Sequence, residues 1–597
     1  MTTEDEHKNA ASQKMQENIA RIEALTERMV GALAHKRAPN VALEGPGPDL
    51  HFSATTALMK EWMEKPSKIF EAQANYWSQA MKQYVEANES LAQGTFSPPE
   101  NPGPTDPRFK NPLWDSHPYF NFIKQQYLIA SKGIQDAVDQ LEDIDEVDRK
   151  RLTYFSRQIV DLMAPTNFLA TNPDALEKAV QTEGESLVKG LENLVRDLEA
   201  NNGNLLVTLA DKDAFVVGEN IGTAEGSVVY RNRLFELIQY KPTTEQVHKT
   251  PLIIFPPWIN RFYIMDLKPQ NSLIRWIVDQ GFTLFIVSWK NPDKSYADVG
   301  LDDYVQEGYL EAINQVKTIT KEPKVNAVGY CIAGTTLSLT LGLLDKRKDR
   351  SINSATFFTT LTDFSDQGEF TVFLQDDFVD GLEKQCQTDG VLSSYFMSRT
   401  FSFLRSRDLI YQPAIRSYMM GEAPPAFDLL FWNGDSTNLP GKMAIEYLRG
   451  LCQQDRFAGK GFEVLGETVS VRDVKVPLMS VACESDHIAP WVAAFAGVAQ
   501  MGSKDKQFIL SESGHIAGIV NPPSKKKYGH YTSAEPIANA NEWKAKAEFH
   551  EGSWWPHWGE WLAKKSGKMV PAREPGGPDH KILCAAPGTY VKEIVKV

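Results

Sequence analysis

The chain has 597 residues, 42% of them hydrophobic, and its 63 Lys and Arg against 77 Asp and Glu leave a net charge of −14. Such acidity argues against nucleic acid as the main partner, because phosphate contacts need a basic surface. The five cysteines, Cys331, Cys386, Cys452, Cys483 and Cys584, show no paired spacing, so neither a disulfide scaffold nor a metal site is expected. The first residues, Met1 to Glu6, are acidic and polar, unlike a secretory signal. No apolar run approaches the roughly 18 residues of a membrane span. A cytoplasmic protein without a transmembrane segment is expected, one that meets any hydrophobic phase only at its surface.

The N-terminal third reads as all-α. Residues 8 to 36 place Ile19, Ile22, Leu25, Met29 and Leu33 at helical spacing. A Pro/Gly linker follows, Pro39 to Pro48. A mainly helical stretch, Thr55 to Leu91, is interrupted at Pro66 and carries a Met and aromatic stripe (Met59, Trp62, Met63, Phe70, Tyr76, Trp77, Met81, Tyr84). Such a stripe is ordinarily core; the alternative is a face that docks on a partner or an apolar surface. A second breaker runs from Ser97 to Pro104. Residues 118 to 200 then read as helices, with turns at 164–167 and 171–173. A helical N-terminal domain over 1–205 is expected, followed by a catalytic domain over 206–597.

From about Thr223 the periodicity changes. Ser227 to Tyr230 and Leu234 to Tyr240 alternate around Asn232 and predict a hairpin. Pro251 to Phe255 and Gly281 to Trp289 are continuous apolar runs, as in strands buried on both faces. Leu273 to Val278 between them reads as a crossover helix. The pattern is a parallel α/β sheet.

The next strand carries the first chemical signal. Val325 to Tyr330 is apolar, Cys331 follows at a tight turn, and a helix runs from Thr336 to about Leu344. A strand-to-helix turn that lifts a nucleophile out of a sheet is the nucleophile elbow of the α/β-hydrolases, usually Gly-x-Ser-x-Gly. Here cysteine replaces serine, Gly329 and Ala333 are the small neighbours, and Ala333 departs from the usual glycine. The bland alternative is a buried, inert cysteine after a core strand.

Partners for a nucleophile stand elsewhere in the chain. The loop Phe255-Pro256-Pro257-Trp258-Ile259-Asn260 leaves the first parallel strand, where this fold takes one oxyanion-hole N–H; the residue after the nucleophile gives the other. Pro256 and Pro257 have no N–H. The donors are therefore expected to be Ile332 together with Trp258 or Ile259. Val476 to Ala482 predicts a strand that leads into Asp486, and Gln507 to Leu510 another that leads into His515. Nucleophile, acid, histidine is the hydrolase-fold order. Cys331, Asp486 and His515 are the candidate catalytic residues; Glu484 is an alternative acid, and His487 neighbours Asp486 but should point away. A thiol with a pKa near 8.5 needs a base at pH 7, which His515 would supply. A thiolate exchanges readily with a thioester, so acyl transfer from a coenzyme A thioester is more natural than amide hydrolysis.

The stretch between Cys331 and Asp486 is too long for a plain sheet segment. An insertion over about 363–462, rich in Phe and Tyr, is expected to form a helical cap, with a mobile lid as its functional reading. Arg405 and Arg407 could meet an anionic carrier such as coenzyme A. Four tryptophans, Trp554, Trp555, Trp558 and Trp561, predict a terminal helix packed on the domain, or else a wall for an apolar product.

These residues together resemble the polyhydroxyalkanoate synthases. The resemblance rests on Asn111 to Trp114, Pro118 to Phe120, Pro165 to Leu169, Pro256 to Asn260, Gly329 to Cys331, Pro425 to Asp435, Asp486 to Ile488, Gly514-His515, Trp554 to Pro556 and Pro587 to Val591. It implies an α/β-hydrolase domain after a helical one. It also implies polymerisation of (R)-3-hydroxyacyl-CoA, favouring 3-hydroxybutyryl-CoA (class I), with release of coenzyme A. The growing chain would ride on Cys331 as a thioester, with His515 activating it and Asp486 helping to activate the 3-hydroxyl. No cofactor is implied; the coenzyme A thioester is the substrate. The implied partners are the growing polyester, the granule surface, a second copy of the chain and phasin-like granule proteins. Trp258 stands where the family commonly has Cys. The competing readings are a cysteine thioesterase or polyester depolymerase on the same fold, and a granule-coating protein with a degenerate site.

Overall fold

The computed structural model describes residues 3–34, 78, 81, 82, 85 and 105–594 apart from 142, 143 and 202. The expected linker at 39–48, the breaker at 97–104 and, those four positions aside, the striped stretch 55–91 lie outside the described residues. The chain divides into two compact units: residues 1–211 with 399–425, and residues 212–398 with 426–597.

The first unit is helical. Helix α1 (Thr3–Ala34) turns Leu25 and Met29 onto Val188, Leu191 and Val195 of a later helix, Glu185–Ala200. The two run in the same direction, held along their length by Lys14–Glu183, Arg21–Glu185, Arg21–Glu192 and Arg28–Glu199 ion pairs at 2.7–3.0 Å. Between them in sequence come α2 (Pro118–Asp139), α3 (Glu146–Leu162) and α4 (Pro173–Gln181), so Glu185–Ala200 is α5. Asp145 caps α3 by accepting from the Val147 and Asp148 N–H groups, and Asn172 caps α4 through Ala175 N–H. Phe109, Trp114, Phe120 and Tyr127 form an edge-to-face aromatic core with Val160 and Ala164.

Residues 399–425 belong to this unit, which divides the cap expected over 363–462. The reason is a close approach onto α5. A Cβ at Gly190 would lie 2.0 Å from the Tyr418 carbonyl oxygen, so only glycine lets the two backbones meet. Asn193 donates to the Ser417 and Glu422 carbonyls at 3.1 and 3.0 Å, and Tyr418 Oη donates to the buried Asp197 carboxylate at 2.8 Å. None of these partners is close in sequence.

The second unit is built on an eleven-stranded sheet. Its strands are β1 (Gly226–Arg231), β2 (Phe235–Tyr240), β3 (Leu252–Phe255), β4 (Leu284–Trp289), β5 (Val325–Tyr330), β6 (Ile352–Phe358), β7 (Leu478–Cys483), β8 (Lys506–Ser511), β9 (His530–Thr532), β10 (Glu548–His550) and β11 (Cys584–Ala585). Their spatial order is β10-β9-β8-β7-β6-β5-β3-β4-β2-β1-β11. The six strands β8, β7, β6, β5, β3 and β4 run parallel, and antiparallel strands finish both edges. Strands β3, β4, β5 and β7 are buried at every position, as continuous apolar runs require.

Strand β6 is the central element that the apolar pattern does not announce, because it begins Ile352-Asn353-Ser354. Those polar groups are satisfied inside. Asn353 and Ser354 both donate to Asn326 Oδ1, at 3.0 and 2.8 Å, and Asn326 donates to Ser566 Oγ at 2.8 Å. The four tryptophans are core, on and just before the helix Trp555–Lys565: Trp554, Trp555 and Trp558 are at most 1% exposed, and each indole N–H donates, to Gly518 O, Ile519 O and Thr356 Oγ1. The parts of the insertion that stay with the sheet, 363–398 and 426–462, include a row of Phe370, Phe373, Phe378 and Phe396 with ring centroids 5.7–6.0 Å apart.

Candidate active site

Cys331 sits directly after β5, at φ 54° and ψ −128°, and helix α6 (Ile332–Lys346) begins at the next residue rather than at Thr336. A positive φ on a residue other than glycine is strained, and such strain collects at functional turns. Neighbouring backbone over-determines it. The Cys331 N–H donates to Phe358 O at 2.8 Å, and its carbonyl accepts from Gly334 and Thr335 N–H and from the Thr360 hydroxyl. The glycine requirement falls on Gly329 and Gly334, not on 333. A Cβ at Gly329 would lie 2.5 Å from Gly334 Cα, and one at Gly334 would lie 2.0 Å from Thr360 Oγ1. Ala333 is fully buried and its carbonyl accepts from Tyr309 Oη at 2.8 Å, so the elbow accommodates a methyl there.

Asp486 follows β7 and His515 follows β8, so all three candidates stand beyond the C-terminal ends of parallel strands, where open α/β sheets bind ligands. His515 Nδ1 lies 2.7 Å from Asp486 Oδ2. The other carboxylate oxygen, Oδ1, accepts from the Ile488 and Ala489 N–H groups at 2.8 and 2.9 Å. The Asp486 side chain is wholly buried. Burial alone would lower the His515 pKa. The Asp486 carboxylate beside Nδ1 and, after it, the neighbouring Cys331 outweigh it and hold the imidazole well above its ordinary range. One ring thus meets a carboxylate through Nδ1, and Cys331 is among the neighbours that raise its pKa. Glu484, the alternative acid, is exposed and pairs with Lys544 at 2.9 Å. His487 is half-buried beside Asp486, but the Asp486 carboxylate turns to His515.

Tyr330 was not singled out by sequence. It stacks on His515, centroids 5.9 Å apart at 30°, and its hydroxyl donates to the His515 carbonyl at 3.2 Å. The only hint was its place before the cysteine.

The loop after β3 is the expected source of a second oxyanion donor. Trp258 is buried against Tyr304 and Tyr447, and its indole N–H donates to Thr336 Oγ1 at 3.3 Å. Among the described residues, no other backbone group takes up the N–H of Trp258, Ile259 or Ile332. Arg405 lies in the helical unit, exposed on residues 399–425. Among the described residues no cluster of three or more His, Cys, Asp or Glu could hold a metal ion.

Comparison with known proteins decides the family. Residues 105–277 match the model for the poly-beta-hydroxybutyrate polymerase (PhaC) N-terminus, and residues 250–522 match the alpha/beta hydrolase fold. A poly(3-hydroxyalkanoate) polymerase of Methylorubrum extorquens is 40% identical over 539 residues, covering 90% of this chain and 89% of that one. The chain belongs to the poly(3-hydroxyalkanoate) polymerase family. The polymerase subunit PhaC of Cupriavidus necator is 38% identical over 539 residues, covering 88% of this chain and 89% of its own. The corresponding subunit of Rhizobium meliloti is 38% identical over 531 residues, covering 89% and 87%. Among solved structures, a monoacylglycerol lipase of Paleococcus ferrophilus aligns with 55% of this chain and all of its own at 13% identity and a TM-score of 0.32. Residues 250–522 of this polymerase-family chain have the α/β-hydrolase fold by the family match, and most of the helical unit, residues 1–211, comes before them in sequence. Among the described residues, no helix is long and apolar enough to cross a membrane.

Proposed function

We propose that this chain polymerises (R)-3-hydroxyacyl-CoA, with 3-hydroxybutyryl-CoA the favoured monomer, into polyhydroxyalkanoate through a thioester on Cys331. The observation that carries the reading is the strained Cys331 turn facing an imidazole already fixed by Asp486. His515 takes the thiol proton, and the thiolate attacks the thioester carbonyl. Ile332 N–H and the N–H of Trp258 or Ile259 stabilise the oxyanion, an effect of about 10²–10³ in rate per donor. Collapse breaks the bond to coenzyme A, whose sulfur leaves with the proton from His515. The acyl group stays on Cys331. The 3-hydroxyl of the other acyl unit, the growing chain or the next monomer, then gives its proton to a base and attacks that acyl carbonyl; the ester C–O bond forms as the C–S bond to Cys331 breaks, and the sulfur leaves and takes back the proton as the free thiol. Both Asp486 oxygens are engaged, by His515 and by two backbone N–H groups, which supports Asp486 acting through His515.

No cofactor enters this scheme. The partners in the reading are the growing polyester, a granule surface with its phasin-like proteins, and a second copy of the chain. Helix α1 supports an attachment role, since it exposes Ile19, Ile22, Val30 and Leu33 while burying Leu25. A chain starting near residue 205 should lose granule binding or dimerisation; retention of both would remove that role. Incubation with 3-hydroxybutyryl-CoA tests the chemistry. Turbidity from insoluble polyester with stoichiometric coenzyme A release is expected, whereas soluble hydroxyacid alone would assign a thioesterase.

A further inference from the structure

The loop that offers the second oxyanion donor has three of its carbonyls, those of Trp258, Ile259 and Arg261, engaged by one distant segment, residues 432–437. Trp258 O accepts from Thr437 Oγ1 at 2.9 Å. Ile259 O accepts from Thr437 N–H at 3.2 Å. Arg261 O accepts from the Trp432 indole at 2.7 Å, and Asn260 bridges Ser436 in antiparallel fashion. Asp435 completes the clasp, meeting Arg261 Nε at 3.3 Å and accepting from Tyr263 Oη at 2.8 Å. Thr437 is 1% exposed, so its hydroxyl has no water to turn to.

A peptide group is planar and trans, so fixing its carbonyl also fixes the N–H on its opposite edge. The carbonyl of Trp258 shares a plane with the N–H of Ile259. Thr437 grips that plane by its oxygen and the following plane by the Ile259 carbonyl. The Ile259 N–H is thereby the pre-oriented donor of the loop, and it costs no reorganisation when charge develops. The turn bond from Asn260 N–H to Pro257 O is the weaker one, at 3.4 Å.

We infer that Thr437 is a positioning residue: its hydroxyl and N–H lock the 258–260 backbone so that Ile259 N–H, rather than Trp258 N–H, serves the oxyanion. This rests on the proposed role of Cys331 as acyl carrier. Because Thr437 lies on the inserted segment, the insertion would then help build the site itself.

Thr437→Val keeps the shape and the backbone N–H but deletes the hydroxyl donor; Thr437→Ser keeps the donor. In the full-length protein with 3-hydroxybutyryl-CoA, Thr437→Val should lower kcat about 10- to 100-fold, less than the 10²–10³ of deleting a donor outright. KM should stay within about twofold, and Thr437→Ser should keep most of kcat. Alkylation of Cys331 by iodoacetamide passes through no oxyanion, so its rate should be unchanged in Thr437→Val. An unchanged kcat in Thr437→Val overturns the inference, as does an equal fall in alkylation, which would place the damage on the thiol and imidazole. Cys331→Ala separates the two levels: coenzyme A release persisting there removes the parent reading, whereas its loss alongside an active Thr437→Val removes only the clamp.

Discussion

Two buried aspartates, one in each unit, meet different surroundings. Asp197 in the helical unit accepts from Thr208 N–H and Oγ1, from Tyr418 Oη and from Arg196, at 2.8–3.2 Å. Burial first, then the neighbouring Asp197, pushes the Tyr418 hydroxyl far above its usual range, so it stays a neutral donor. The carboxylate is a bolt between α5 and residues 399–425. Asp486 in the sheet unit also accepts from two fixed N–H groups, but its other oxygen lies 2.7 Å from an imidazole whose pKa Asp486 and the neighbouring Cys331 raise. Burial and charge are common to both, so they do not single out Asp486 as the candidate acid; its imidazole partner does.

The contrast can be broken by substitution. Cys331→Ala should abolish coenzyme A release, a fall on the order of 10⁶ as for loss of a nucleophile elsewhere, read by a thiol assay. Asp486→Asn should cost about 10⁴ in kcat with the protein still folded, because the imidazole loses its orienting acceptor. Tyr418→Phe should do the reverse. It should lower unfolding stability by about 1–3 kcal/mol, by denaturant titration, and leave turnover per folded molecule unchanged. Comparable losses of turnover in Tyr418→Phe and Asp486→Asn would erase the distinction.

Two smaller effects sharpen it. Burial, and then the nearby Asp363 charge, raises Asp455 from 3.8 to about 6 against a lowering hydrogen bond from Phe364 N–H. The fold therefore favours the protonated form. Its stabilisation is full below about 3.8 and is lost as pH rises through about 6. Asp455→Asn should accordingly gain stability relative to the native chain as pH climbs from 4 to 6.5, seen as a growing difference in Tm. The Arg21 side chain is 36% exposed in its pairs with Glu185 and Glu192. Arg21→Gln should cost only about 0.2–1 kcal/mol, and less in 1 M salt, by the same titration.

Where elements could be read from sequence, one physical feature carried the reading. Apolar runs marked β3, β4, β5 and β7 because a parallel strand covered on both faces needs them. The turns at 164–167 and 171–173 followed from proline and asparagine. β6 escaped because Asn353 and Ser354 find their partners on Asn326, a neighbour supplied by another strand. The edge strands β9, β10 and β11 escaped because two or three residues carry no periodicity. The insertion was expected as one body, but Gly190 and Gly421 admit residues 399–425 against α5, and a close approach of backbones leaves no apolar pattern behind.

By itself the sequence determined the chemistry on offer: a cysteine between small residues at a strand's end, then an acid and a histidine after two later strands, in the order this fold demands. Local spacing suffices for that, since each group is placed by its own strand. Only the tertiary structure decided how those groups are held. It strained Cys331 to a positive φ, turned both oxygens of Asp486 onto named donors, laid Tyr330 on His515, and set Thr437 across the Trp258–Ile259 peptide. Asp486 meets Ile488 N–H locally, but its contact with His515, that of Tyr330 with His515 and that of Thr437 with Trp258 span 29, 185 and 179 positions, and their geometry exists only once the sheet has brought the strand ends together.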